Sequence, residues 1–450
     1  MAGKTPINDF IDEYCKKDGA RFHMPGHKGR ILHGLEDRDI TEIRGADYLF
    51  EAEGIIAQSE RLTSRIFGSA KTLYSTEGSS LSIKTMLAIA VLCRKNHDAR
   101  PLIIAPRNVH KAFINGCCLL DIDVKWVYPE TASSELCSSS VGADEIEKAI
   151  TECGQVPDGV YITSPDYLGN IADIGGISNV CKRHGIPLLA DNAHGAYLKF
   201  LEKPLHPLDS GADMCCDSAH KTLPVYTGGS YLHISKNAPK AFSECAKSAM
   251  AMFASTSPSY LIMGSLDKCC GELQGNLPQR IRDCAKTVSE IAQDIEAMGW
   301  DIRSPEPLKL SIFPENMGYS GNELGAILHE HNIECEYSDY RCVVLMCSPF
   351  NSADDFLRLE KIMAQLPKID KNTASTDTVF IPKAVTRMSV RQAEFSPCKR
   401  IKIEDSEGKI CARSAISCQP SVPVIIAGEE ITADVIKILK NYSIYEIDVI

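Results

Sequence analysis

The chain has 450 residues, 44% hydrophobic and 24% charged, the composition of a soluble globular protein with room for two or three cores. Its net charge of −11 argues against a nucleic-acid binder that relies on a basic face, since phosphate binding needs clustered Lys and Arg. There is no apolar run of about 18 residues, which a membrane span would need. The opening Met1-Ala-Gly-Lys-Thr-Pro lacks the apolar stretch of a signal peptide, so a cytoplasmic location is expected.

The first 60 residues are polar and turn-rich and read as an N-terminal segment. From 61 to 299, strand-like apolar runs alternate with helical patterns. Leu81–Arg94 reads as a helix, and Leu102–Ala105, Gly159–Thr163 and Ile186–Ala190 read as buried strands. Asn179–His184 reads as a helix end closed by Gly185, and Gln279–Met298 as a long helix stopped by Gly299. This alternation predicts a large α/β domain on a mostly parallel sheet. Residues 300–367, with strands over Leu308–Phe313 and Val343–Cys347, predict a smaller α+β domain. A polar linker over 368–380 and a last α/β segment over 381–450 complete the expected organisation. The 19 cysteines include three adjacent pairs but no C-x-x-C, and their number is odd. They read as reduced, mostly buried small apolar residues, and no metal site is expected.

In open α/β sheets ligands bind at the carboxyl ends of strands, and three turns there carry candidate chemistry. Asp191-Asn192-Ala193-His194 follows an apolar strand, where a carboxylate is costly unless paired; a helix-capping Asp is the plain alternative. Asp217-Ser218-Ala219-His220-Lys221 offers a lysine that is either a surface residue or, if desolvated, a Schiff-base amine. Thr76-Glu77-Gly78-Ser79-Ser80 opens the Leu81 helix and is either an ordinary cap or a phosphate cradle. Neither G-x-G-x-x-G nor G-x-x-x-x-G-K-[ST] occurs, which removes support for a dinucleotide or P-loop enzyme.

A phosphate turn, a strand-end Asp and a later Ser-x-His-Lys, in that order, resemble the pyridoxal-phosphate enzymes of the aspartate aminotransferase fold (fold type I). Several segments narrow the resemblance to the Orn/Lys/Arg decarboxylase family: Phe22-His-Met-Pro-Gly-His-Lys-Gly29, Asp39–Ile43 through Ala52–Gly54, Arg107-Asn-Val-His-Lys111, Ser218-Ala-His-Lys221, Ser255-Thr-Ser-Pro-Ser-Tyr260, and Pro420-Ser-Val-Pro423 to Gly428-Glu429. The likeness spans nearly the whole chain, whose length resembles the compact members without an N-terminal wing domain. There are departures. Glu77 stands where the family has Asn, Ser82-Ile83 where it has Gly-Asn, Asp166 where it has Thr, and Ser421 where it has Gly.

The resemblance implies that Lys221 binds pyridoxal phosphate covalently, that Asp191 pairs with its pyridine nitrogen, and that His110 stacks on its ring. It implies phosphate donors at Ser79, Ser80, Ser218 and His220, a ring-lining His194, and Thr256 and Ser257 reaching the phosphate of a neighbouring subunit in a homodimer or larger homo-oligomer. His23 and His27 are expected near the entrance. The implied reaction converts arginine, lysine or ornithine to its amine and carbon dioxide. An aminotransferase or lyase on the same fold, or a catalytically silent member, are the alternatives. Asp47, Glu51 and Glu429 are among many carboxylates available for the substrate's distal cation.

Overall fold

A computed structural model describes residues 3–17, 19–31, 33–128, 141–370, 383–416 and 422–450. Its helices are α1 Pro6–Cys15, α2 Ile55–Phe67, α3 Gly78–Leu92, α4 Lys111–Leu120, α5 Ala143–Thr151, α6 Ile174–His184, α7 Ala219–Thr222, α8 Lys240–Ala251, α9 Tyr260–Leu273, α10 Leu277–Ala297, α11 Gly321–Glu330, α12 Ala353–Gln365, α13 Val390–Glu394 and α14 Ala433–Asn441. Its strands are β1 Lys71–Ser75, β2 Leu102–Pro106, β3 Asp123–Val127, β4 Gly159–Thr163, β5 Leu188–Asp191, β6 Met214–Asp217, β7 Ser230–Ile234, β8 Asp301–Arg303, β9 Lys309–Phe313, β10 Tyr337–Ser338, β11 Val343–Met346, β12 Lys399–Lys402, β13 Ala415–Ile416, β14 Pro423–Ile425 and β15 Glu446–Val449. They form two compact units interleaved in sequence. The first takes Met1–Ala99, Val156–Ile162 and Ile174–Gln279; the second takes Arg100–Gln155, Thr163–Asp173 and Arg280–Ile450.

In the first unit the strands lie in the order β1-β7-β6-β5-β4. β5, β6 and β7 are buried at every residue, as expected of near-continuous apolar strands covered on both faces. β5 and β6 are parallel, with Asp191 opposite Cys216. β7 departs from the parallel expectation and runs antiparallel to both β1 and β6. The link from β6 to β7 holds only the single turn α7, so no full helical crossover carries the chain back to a parallel start. The strand predicted from Ile186 begins instead at Leu188. Pro187, just before it, has no N–H, but its carbonyl accepts from Val160 N at 2.9 Å. α3 is buried nearly all round from Leu81 to Ala90, consistent with its unbroken apolar run. α6 ends at His184, and Gly185 takes the left-handed conformation (φ 66°) that closes it. The N-terminal segment joins this unit through α1, whose Asn8 amide donates to Gly264 O at 2.7 Å and to the Asp267 carboxylate at 2.9 Å.

In the second unit β2 and β3 pair in parallel, and β10-β11-β9-β8 form an antiparallel sheet. Residues after 398 make the ladders β12–β15 and β13–β14 around a small core of Ile403, Val424, Ile431, Leu439 and Ile447. Ser320 and Ser352 cap α11 and α12 in reciprocal capping boxes. Part of the expected linker, 371–380, lies outside the described residues, as does Ser421. Among the described residues the cysteines are free thiols, and no helix is long and apolar enough to cross a membrane.

Candidate active site

The site grows from three turns of the first unit. β5 ends in Asp191, which is 2% exposed. Its carboxylate is not a helix cap. Tyr161, projecting from β4, donates its hydroxyl to Oδ2 at 2.8 Å. Ala193 N–H donates to Oδ1 at 3.2 Å, and the Cys216 thiol reaches Oδ1 at 3.5 Å. These bonds compensate the burial of a strand-end carboxylate and fix its orientation.

β6 leads through Ser218 into α7, which carries His220 and Lys221. Lys221 Nζ lies 3.0 Å from Nε2 of the buried His194 on the Asp191 turn. Ser218 Oγ donates to Ser79 Oγ at 2.8 Å. Ser79 and Ser80 stand in the first turn of α3, where amide N–H groups lack intrahelical acceptors. Gly78 precedes them at φ 68°, a conformation that favours glycine, and donates its N–H to Gly228 O at 2.7 Å. A Cβ placed on Gly78 would meet no atom within 4 Å, so the approach to this helix end is open. His220 Nδ1 bonds Gly229 O at 2.9 Å, so that nitrogen gives its proton to a carbonyl and is not the one that would meet a phosphate.

Side-chain bonds therefore join the turn of Asp191 and His194 to that of Lys221, and the latter to the phosphate turn. Glu77 does not project its charge alone into this group: its Oε1 accepts from Ser255 N–H at 2.7 Å. The loop so anchored exposes Thr256 and Ser257. His23 and His27 lie in the N-terminal segment, bonded to Tyr14 Oη (2.7 Å) and Asp39 Oδ2 (3.3 Å). His110 belongs to the second unit, where its Nδ1 accepts from Ala112 N–H and caps α4.

Two of the three named carboxylates have structural roles. Asp47 accepts backbone N–H bonds from Tyr48, Glu53, Gly54, Ile56 and Ala57, holding the start of α2. Glu429 grips the buried Arg107 at 2.6 and 3.2 Å and accepts from Ile426 N–H. Glu51 is exposed at the end of a short 3-10 turn.

The sequence places Asp217 at the head of a candidate turn and Tyr161 in a buried strand but assigns neither a role. Asp217 carries a visible signal, since Met214-Cys-Cys-Asp217 repeats the pattern of Leu188-Leu-Ala-Asp191. Tyr161 carries none, because only the alignment of strands brings it to Asp191. The donor set of the three turns fits pyridoxal phosphate: an amine for its aldehyde, a buried carboxylate for its ring nitrogen, and hydroxyl and amide groups at an open helix N-terminus for its phosphate.

The family model for Orn/Lys/Arg decarboxylase, major domain, matches residues 5–313. An arginine decarboxylase of Bacillus subtilis is 27% identical over 97% of this chain and 94% of its own length. One of Halalkalibacterium halodurans is 27% identical over 95% of this chain and 91% of its own. Among solved structures, lysine decarboxylase A from Pseudomonas aeruginosa superposes with a TM-score of 0.82 at 15% identity, covering 99% of this chain and 80% of that one. The constitutive lysine decarboxylase of Escherichia coli gives 0.81 at 17%, covering 99% and 82%. The fold is that of type I pyridoxal-phosphate enzymes. With a matching model across most of its length and the motif turns gathered in one unit, the chain belongs to the Orn/Lys/Arg decarboxylase family.

Proposed function

We propose that this protein removes the α-carboxylate of a basic amino acid as carbon dioxide, with pyridoxal phosphate held by Lys221, Asp191 and the N-terminus of α3. The observation that carries the reading is the linkage of Lys221 to His194 and of Ser218 to Ser79, which gathers amine, carboxylate turn and phosphate turn into one unit. When bound, the cofactor supplies an electron sink for the pair released as the carboxylate departs.

The side chains divide the remaining tasks. Lys221 Nζ is the amine that holds the cofactor, and it must be uncharged to act as a nucleophile. His194 Nε2, 3.0 Å away, is placed to take a proton from it. Asp191, oriented by Tyr161 and Ala193, presents a fixed anion to the ring nitrogen. The α3 amides with Ser79, Ser80 and Ser218 receive the phosphate, and His220 adds Nε2. Thr256 and Ser257, exposed on the loop anchored by Glu77, serve the site of a second copy in a homodimer. Arginine and lysine are the favoured substrates, arginine on the strength of the names of the full-length relatives.

The test is the visible spectrum of the purified chain with pyridoxal phosphate, followed by carbon dioxide release from arginine, lysine and ornithine. A visible absorption band from the bound cofactor and gas from one substrate are expected. Lys221→Ala abolishes both, and Asp191→Ala loses far more rate than cofactor. A band with no gas from any of the three would point to a transaminase or lyase, and absence of a band would overturn the reading.

A further inference from the structure

Asp217 ends β6 as Asp191 ends β5, and it is completely buried. Its Oδ2 lies 3.0 Å from His206 Nε2 and 3.2 Å from His233 Nε2. Its Oδ1 accepts from Asn192 Nδ2 at 2.7 Å and lies 3.5 Å from the Cys215 thiol. Both histidines are also wholly buried.

Two histidines and a carboxylate this close resemble a metal set. The outer ring nitrogens argue for a different assignment. His206 Nδ1 accepts from Leu208 N–H at 3.3 Å, which places the ring proton on Nε2 and directs it to Asp217. His233 Nδ1 lies 2.8 Å from the Thr72 hydroxyl, which donates to it in the same tautomer. Neither Nε2 then has a lone pair for a cation. The cluster is a buried anion held by imidazole and amide donors. Burial alone would raise the Asp217 carboxyl, but His206 and His233 hold it well below the usual carboxylate range. Burial lowers His233 from its ordinary value, consistent with a neutral ring.

The position of this anion gives it a use. Asn192 follows Asp191, and Ser218 follows Asp217. The Asn192–Asp217 bond therefore spans the turn of the carboxylate and the turn of Lys221, beside a backbone bond from Asn192 N–H to Cys216 O at 3.0 Å. We propose that Asp217 is a positioning residue: anchored on His206 and His233 and clamped through Asn192, its carboxylate sets the Asp191 turn against the Lys221 turn. The inference rests on the functional reading above, because it concerns the geometry in which those turns receive the cofactor.

An exchange of the two side chains tests it. Asp217→Asn sets its amide N–H against the Asn192 amide N–H, a clash relieved only by turning the Asn192 amide so that its N–H groups occupy the buried place where its Oδ1 has no partner, and Asn192→Asp sets carboxylate against carboxylate. In the double variant Asn192→Asp/Asp217→Asn, the amide at 217 donates to the carboxylate at 192, and its oxygen still accepts from both imidazoles. Pyridoxal-phosphate affinity is read by absorbance titration, with the position of the visible band and the apoprotein melting temperature recorded alongside. Each single variant is expected to bind the cofactor at least tenfold more weakly with an altered band. The double variant is expected to return to within threefold of wild type.

Should a single variant fail to fold, Asn192→Ala removes the clamp alone; a tenfold weaker affinity with little change in apoprotein melting supports the proposal. Wild-type affinity and spectrum in the folded variants overturn it, as does a double variant no better than the singles. A wild-type chain without a visible band overturns the functional reading and this inference with it. A wild-type band with unmoved variants overturns the inference alone.

Discussion

Tyr161 illustrates how one residue acts through another. It is fully buried on β4, and its hydroxyl donates to the Asp191 oxygen that Ala193 does not touch. Tyr161→Phe keeps the ring volume and deletes one donor from a buried carboxylate, a loss of about 1.5–3 kcal/mol in stability. The larger effect should fall on turnover, because Asp191 would no longer be held from both sides. We expect kcat to fall roughly tenfold, with pyridoxal-phosphate affinity changed less than threefold. Steady-state kinetics beside an absorbance titration check this, and an unchanged kcat would remove Tyr161 from the mechanism. At this scale the sequence reveals residues whose surroundings are local. Asp191 and Lys221 stand out because apolar runs end abruptly beside them. Tyr161 sits inside such a run, and its partner 30 residues away is set by strand order.

Between elements of the second unit, a buried ion pair joins Arg107 to Glu429, 322 residues apart and both about 1% exposed. Arg107 follows β2, and Glu429 lies between β14 and α14. The guanidinium also faces the Trp126 ring at 5.0 Å. Burial opposes its charge, yet Glu429 outweighs burial and the arginine is raised further. Glu429→Gln leaves a buried guanidinium without its anion, a change that costs about 3–5 kcal/mol. A double change to Arg107→Met and Glu429→Leu should recover most of that loss, since apolar pairs of similar volume replace buried ions well. Urea denaturation followed by tryptophan emission measures both. A Glu429→Gln variant within about 1 kcal/mol of wild type would show that the pair contributes no more than a surface bridge. Nothing near Glu429 in sequence announces this partner, so a substrate-facing role and a structural one look alike there. The same limit hides the direction of β7: its composition marks a buried strand, but its antiparallel course depends on how the chain returns after α7.

For the molecule as a whole, the α/β alternation, most strand and helix positions and the three candidate turns at strand and helix ends were legible, because apolar runs and their glycine and proline breaks are written locally. The interleaving of the two units was not, since it follows from which distant segments pack together. That interleaving places both tryptophans, Trp126 and Trp300, in the second unit, so tryptophan emission reports that unit's unfolding. The same unit buries Asp166, Glu306 and Lys309. Burial raises the Asp166 carboxyl to about 6, against the bonds from Asn170 and Leu168, and raises Glu306 to about 7, against Lys309. Both native values exceed the ordinary ones, so between about pH 4 and 7 the folded unit binds more protons than the unfolded chain. Its stability must then fall as pH rises through that window, on the order of 1.4 kcal/mol per carboxyl for each pH unit crossed between its unfolded and folded values. In the first unit the signs differ. Asp217, held low, has already made its contribution above about pH 4, and His233, also lowered, adds stability as pH rises towards its unfolded value near 6.5. The tryptophan-monitored urea midpoint should therefore decrease from pH 5 to pH 7.5, and Glu306→Gln should flatten the decrease. A midpoint that holds steady or rises over that range in the wild-type chain would show that Asp166 and Glu306 are ionised in the folded state at pH 5.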